Sequence, residues 1–97
     1  MTVIRWTPRA RADLAAIRAF IEQDSPHYAA LVVLRLIAAT DRLAVFLESG
    51  RAVPEFQSPV VREVILRPYR IVYRLAGDDE IHILTVHHAS QAFPTTF

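Results

Sequence analysis

The chain has 97 residues, a net charge of +1 and no cysteine, and 53% of it is hydrophobic. That length supports one domain, residues 1–97, and is too short for two independent cores. Near-neutral charge excludes a chain whose bulk electrostatics seek nucleic acid, and the missing thiols exclude disulfides, thiolate catalysis and zinc–thiolate sites. The apolar share exceeds that of a typical soluble chain, so some apolar surface is expected to be covered by another chain. All 11 basic residues are arginine. Read beside 14 alanines, this reflects codon usage, but it also excludes lysine acid–base and Schiff-base chemistry. The longest apolar run, residues 28–34, cannot span a bilayer, and the N-terminus MTVIRWTP lacks the apolar core of a signal peptide. A soluble cytoplasmic protein is expected.

In chain order, Val3–Trp6 reads as a short strand stopped by Thr7-Pro8, an N-cap followed by a proline at the first helical position. Ala10, Leu14, Ile17 and Ile21 then recur at helical spacing. Ser25-Pro26 repeats the start signal, and a second helix is predicted to about Leu47. It carries one apolar stripe of Val32, Leu36, Ala39, Leu43 and Phe46, and another of Val33, Ile37 and Ala44. Gly50 is expected as a left-handed helix cap and residues 51–59 as loop. Residues 60–67, 69–75 and 80–87 alternate as three strands, with Ala76-Gly77-Asp78-Asp79 as a hairpin turn. The last strand is apolar on both faces and is expected inside the sheet. The order is β-αα-βββ: an α+β fold whose antiparallel helical hairpin packs on a mainly antiparallel sheet.

Chemistry is first narrowed by exclusion. Two glycines, at 50 and 77, leave no glycine-rich phosphate loop. His87 and His88 are adjacent in a strand, so their imidazoles diverge, and His82 is about 20 Å along the strand from His88. No metal site and no cofactor are expected. The remaining signal is RPYRIVYR, residues 67–74. Alternation puts Tyr69, Ile71, Tyr73 and Leu75 on one face and Arg70, Val72 and Arg74 on the other, so a locally cationic face is predicted.

The run ARADLAAIRAFI (10–21), SPHYA (25–29), FLESGRAVPE (46–55), REVILRPYRIVYRL (62–75) and ILTVHHA (83–89) together resemble the RelE/ParE superfamily of bacterial toxins. These are the growth-inhibiting halves of type II toxin–antitoxin pairs. The GRAVPE and YRIVYR stretches resemble its ParE-like, plasmid-stabilisation branch most. That resemblance implies a toxin that poisons DNA gyrase by binding, without an established catalytic set, and that is neutralised by a small ParD- or RelB-like antitoxin in a hetero-oligomer.

Two mRNA-cleaving patterns in the superfamily provide the alternative, a ribosome-dependent endoribonuclease. In the RelE-type pattern only Arg70 matches. Glu63 and Ile65 stand at lysine positions, Ala89 stands at the C-terminal arginine position, and no tyrosine follows Tyr73. In the second pattern Glu55 and Arg70 match, Ala89 stands at the histidine position, and His87 and His88 fall one or two residues short. A degenerate, non-toxic antitoxin-binding protein is a further alternative.

The expected target or anion contacts are Arg67, Arg70 and Arg74. Val33, Ile37 and Ala44 are the expected antitoxin contacts, and Glu55, Arg70, His87 and His88 are the candidates under the nuclease alternative. An exposed Arg70 further predicts that Arg70→Ala changes stability by no more than about 0.5 kcal/mol.

Overall fold

The computed structural model describes residues 2–94. Its elements are β1 (Val3–Trp6), α1 (Pro8–Glu22), α2 (Pro26–Arg42), β2 (Arg51–Ala52), β3 (Val61–Leu66), β4 (Tyr69–Leu75) and β5 (Glu80–His88). The five strands form one sheet in the order β1-β5-β4-β3-β2. β1 runs parallel to β5, and the other pairs are antiparallel. The α+β architecture is thus the one expected, and β5 lies inside the sheet, as its two apolar faces require.

Both helices begin at the predicted caps. The Thr7 hydroxyl accepts from the Ala10 N–H at 3.2 Å and also donates to the Ile83 carbonyl at 2.8 Å. One side chain therefore starts α1 and ties it to β5. Ser25 accepts from the Tyr28 N–H at 3.1 Å and starts α2. Within α2, Ala29, Val32, Leu36 and Ala39 are buried. Their spacing of three, four and three puts them on one helical stripe facing the sheet. Val32, Leu36 and Ala39 pack with Ala10 and Leu43 against Tyr69, Ile71, Tyr73, Ile81, Ile83 and Val86. Each fully buried aliphatic side chain here contributes about 1.5–3 kcal/mol. Asp13 fastens α1 from its polar side, accepting from the Thr85 hydroxyl and, at 3.1 Å, from the Val86 N–H.

α2 ends at Arg42, earlier than its apolar pattern predicts. Leu43, Ala44 and Val45 donate to the carbonyls three residues back, Thr40, Asp41 and Arg42, so the chain tightens out of the α-helix. Tyr73 draws the following segment onto the sheet. Its hydroxyl donates to the Leu47 carbonyl at 2.8 Å and accepts from the Gly50 N–H at 3.0 Å. Phe46, placed by pattern in the core stripe, consequently turns outward and is exposed.

Gly50 is not the left-handed cap expected of it, since Gly77 is the described residue with a positive φ, +119°. What Gly50 provides is room. A Cβ there would lie 2.5 Å from the Tyr73 hydroxyl and 2.7 Å from the Glu63 carbonyl oxygen. The next two residues are not loop, as predicted, but the edge strand β2, whose Arg51 and Ala52 pair with Glu63 and Arg62 of β3.

The sheet face away from the helices carries its own small core. Val53, Val61 and Val72 are buried there, with Phe56, Leu84 and Phe93 packed around them. The stretch after β2 and the chain after β5 cover this face. The predicted cationic face is therefore partly roofed.

Candidate functional site

Strand register builds the site. Arg51 pairs with Glu63, Glu63 with Val72, Ile65 with Arg70, and Arg70 with His87. Directly paired residues share a face, so Arg51, Glu63, Arg70 and His87 converge on the side opposite the helices.

Glu63 is the hub. Its side chain is 0% exposed. One carboxylate oxygen accepts from Arg70 Nε at 2.6 Å and the other from Arg51 Nε at 2.6 Å. A buried carboxylate needs such partners, because an unpaired charge there would cost several kcal/mol. Arg70, 16% exposed, uses its remaining edge on Glu55. NH1 and NH2 donate to the two Glu55 oxygens at 3.0 and 2.8 Å, a bidentate fork. The guanidinium also lies over the Phe93 ring, 4.1 Å from its centroid.

These contacts reinforce one another. Hydrogen bonding from Arg70 holds the Glu55 carboxyl below its ordinary range, and the bond to Glu55 raises Arg70 in turn. Glu55 therefore stays ionised at neutral pH.

The expected site residues separate into distinct places. Arg70 is a paired, mostly buried arginine rather than an exposed one, because it shares with Arg51 the neutralisation of the buried Glu63. The premise of the expected negligible stability change on its removal, an exposed Arg70 side chain, does not hold. Arg74 is exposed about 13 Å further along β4. Its NH2 group donates to His82 Nδ1 at 3.1 Å, His82 Nε2 donates to Glu80 at 2.7 Å, and Glu80 accepts from Arg5 Nε at 3.1 Å. The bonds from His82 and Arg5 also hold the Glu80 carboxyl below its ordinary range. Arg67, in the β3–β4 turn, is exposed and has no ion pair among the described residues.

His87 and His88 diverge as alternation requires. His87 is buried beside Phe93, with ring centroids 5.2 Å apart, and its Nε2 donates to the Gln91 carbonyl at 3.0 Å. His88 turns to the helix side, its ring 5.4 Å from that of Tyr69, and its Nδ1 accepts from the Ser90 N–H at 3.0 Å. Glu55, Arg70 and His87 thus share one neighbourhood, and His88 lies outside it.

Glu63 and Arg51 were missed as site residues. The signal was present in VVREVILR. Period two places Glu63 between Val61 and Ile65 on one face, and a carboxylate among apolar residues requires a cation.

A second surface lies across the helical hairpin. Trp6, Leu14, Ala15, Val33 and Ile37 line a shallow groove of about 430 Å³, flanked by Arg11 and Arg18. Val33 and Ile37 are brought together there. Ala44, expected in the same stripe, is not among the lining residues, because α2 has already ended. Leu31, Leu34 and Phe20 add exposed apolar surface to the hairpin, Leu34 and Phe20 at 63% and 72%. No helix among the described residues is long and apolar enough to cross a membrane.

The family described as ParE toxin of type II toxin–antitoxin system, parDE, matches residues 4–93. The Sinorhizobium fredii protein Y4kP is 45% identical over 93 residues, covering 94% of this chain and 92% of its own. Toxin RelE2 of Caulobacter vibrioides is 37% identical over 91 residues, covering 94% of this chain and 99% of its own. Among solved structures, a chain of the chromosomal ParDE toxin–antitoxin system from P. aeruginosa superposes with a TM-score of 0.73 at 28% identity. It covers 91% of this chain and 96% of that one. The chain belongs to the ParE toxin family of type II toxin–antitoxin systems.

Proposed function

We propose that this toxin arrests growth by binding DNA gyrase, without catalysing a reaction itself, in the cytoplasm where its target lies. The observation that carries this reading is the engagement of Glu55 and Arg70 with each other. A general base has to be free to take a proton at neutral pH. The Glu55 carboxyl is bonded through both oxygens and held below its ordinary range. Arg67 and Arg74 supply exposed cationic contacts on either side. Purified toxin added to gyrase and relaxed plasmid should block supercoiling and accumulate cleaved DNA. Unimpaired supercoiling at saturating toxin removes this reading.

The nuclease alternative rests on a different observation, the convergence of carboxylate, guanidinium and imidazole at Glu55, Arg70 and His87. Its test is direct. Site-specific cuts in mRNA on translating ribosomes, lost in Glu55→Ala, would install it in place of gyrase binding.

The cognate antitoxin occupies the hairpin groove. An amphipathic segment lays its apolar side on Trp6, Leu14, Val33 and Ile37, and acidic residues at its edge meet Arg11 and Arg18. Ile37→Glu should weaken the complex by at least about tenfold while the free toxin folds normally. Unchanged affinity would place the antitoxin elsewhere.

A further inference from the structure

We propose that Arg51 and Arg70 form a two-arginine cradle for a phosphate oxyanion, backed by Glu63 and closed in the free protein by the side chain of Glu55. This deepens the reading of the Arg70 face as the surface that meets the target, and rests on it.

The geometry assigns the two carboxylates different tasks. Glu63 bonds the Nε atom of both arginines, so it orients both guanidinium groups and leaves their terminal NH1 and NH2 groups for other partners. It is buried and cannot leave without stranding a charge. Glu55 is different. It lies in the turn after Val53 and its side chain is 41% exposed. It covers the outward edge of Arg70 with the bidentate contact that a phosphate also makes. Arg51, 61% exposed and bonded through Nε to the other Glu63 oxygen, keeps an accessible end.

Charge and tethering give the same answer. Two guanidinium groups against Glu63 leave one positive charge, which Glu55 cancels. Glu55 is ionised at neutral pH, so a competing anion, and not a proton, must displace it. An external carboxylate would only repeat the two bonds that Glu55 makes, against a tethered group at a high effective concentration. A phosphate has further oxygens, which reach Arg51 while two hold Arg70. The turn itself need not open. Val53 and Phe56 anchor its backbone in the small core, and rotation of one side chain uncovers the site.

The test is calorimetric titration of the full chain with inorganic pyrophosphate, repeated by fluorescence anisotropy with a labelled 12-nucleotide single-stranded DNA. Glu55→Gln and, independently, Glu55→Ala should bind pyrophosphate about tenfold tighter than the wild type, as a charge-assisted contact is no longer contested. Adding Arg51→Ala to Glu55→Gln should remove most of that gain. The same order with the oligonucleotide assigns the site to a nucleic-acid backbone, and the order with pyrophosphate alone assigns it to free phosphates. Affinity unchanged in both Glu55 variants overturns the proposal, as does a gain that survives Arg51→Ala. Failure of gyrase inhibition would instead remove the reading beneath it and leave these titrations to be judged separately.

Discussion

The two faces of the sheet are stabilised by different physics. Towards the helices, Leu36, Ile71, Tyr73, Ile81 and Ile83 are fully buried in one apolar cluster, and the polar exceptions are locally satisfied. On the other side a much smaller core of Val53, Val61 and Val72 adjoins a row of charges held together by Glu63. The first face draws on apolar burial, which scales with area and is not screened by salt as charge pairs are. The second draws on paired charges, whose partners cannot be removed singly. The consequence is functional as well as structural. A face made of dry packing can only support the fold, whereas a face made of charge pairs can exchange one partner for another.

The largest expected effect lies on the helix side. Leu36→Ala leaves a cavity under α2 and should destabilise by about 2–5 kcal/mol. Chemical denaturation in urea should give nearly the same loss at low and high salt. A strongly salt-dependent loss would mean the two faces are not physically distinct.

Arg70→Ala should come next, at about 3 kcal/mol, because Glu63 stays buried with Arg51 alone. A loss near zero in urea denaturation would show that the hub needs one arginine, and that Arg70 is present for the target only. Toxicity of this variant must therefore be read beside its stability.

Gly50→Ala tests the junction between the faces, since Gly50 meets Tyr73 from one and Glu63 from the other. Overpacking should cost about 1–3 kcal/mol, and a melt like that of the wild type would show that the junction yields.

The smallest effect separates the faces by pH. Glu55 has a lowered folded-state pKa against an ordinary value of 4.5. Its pairing is therefore fully present above about pH 4.5 and is lost as pH falls through the depressed folded value. Glu80, lowered by His82 and Arg5, adds a loss of the same sign. Thermal melts between neutral and strongly acid pH should show a shallower acid decline for Glu55→Gln than for the wild type. Parallel curves would mean that the Arg70–Glu55 fork contributes no net stability in solution.

Much of this is legible in the sequence. Thr7-Pro8 and Ser25-Pro26 mark both helix starts because capping chemistry is local. The alternation of β4 assigns Tyr69, Ile71 and Tyr73 to the helix face. The apolar character of β5 on both sides puts it inside the sheet. Family resemblance named Glu55 and Arg70 together only under the nuclease alternative, and their mutual pairing came from the structure.

Periodicity misjudged the stretch from Leu43 to Ala52, where the apolar pattern continues but the helix does not. Its path is set by Tyr73, more than twenty residues later in the chain, bonding Leu47 and Gly50. The role of Arg70 escaped for the same reason. Outside that stretch, sequence alone determined which residues share a face and which segments become helix or strand, because those follow from neighbours a few positions apart. Only the tertiary structure decided that the arginine face is neutralised. Whether a guanidinium is free or paired depends on the register that brings β2, β3 and β4 side by side, and on a turn that returns Glu55 to Arg70.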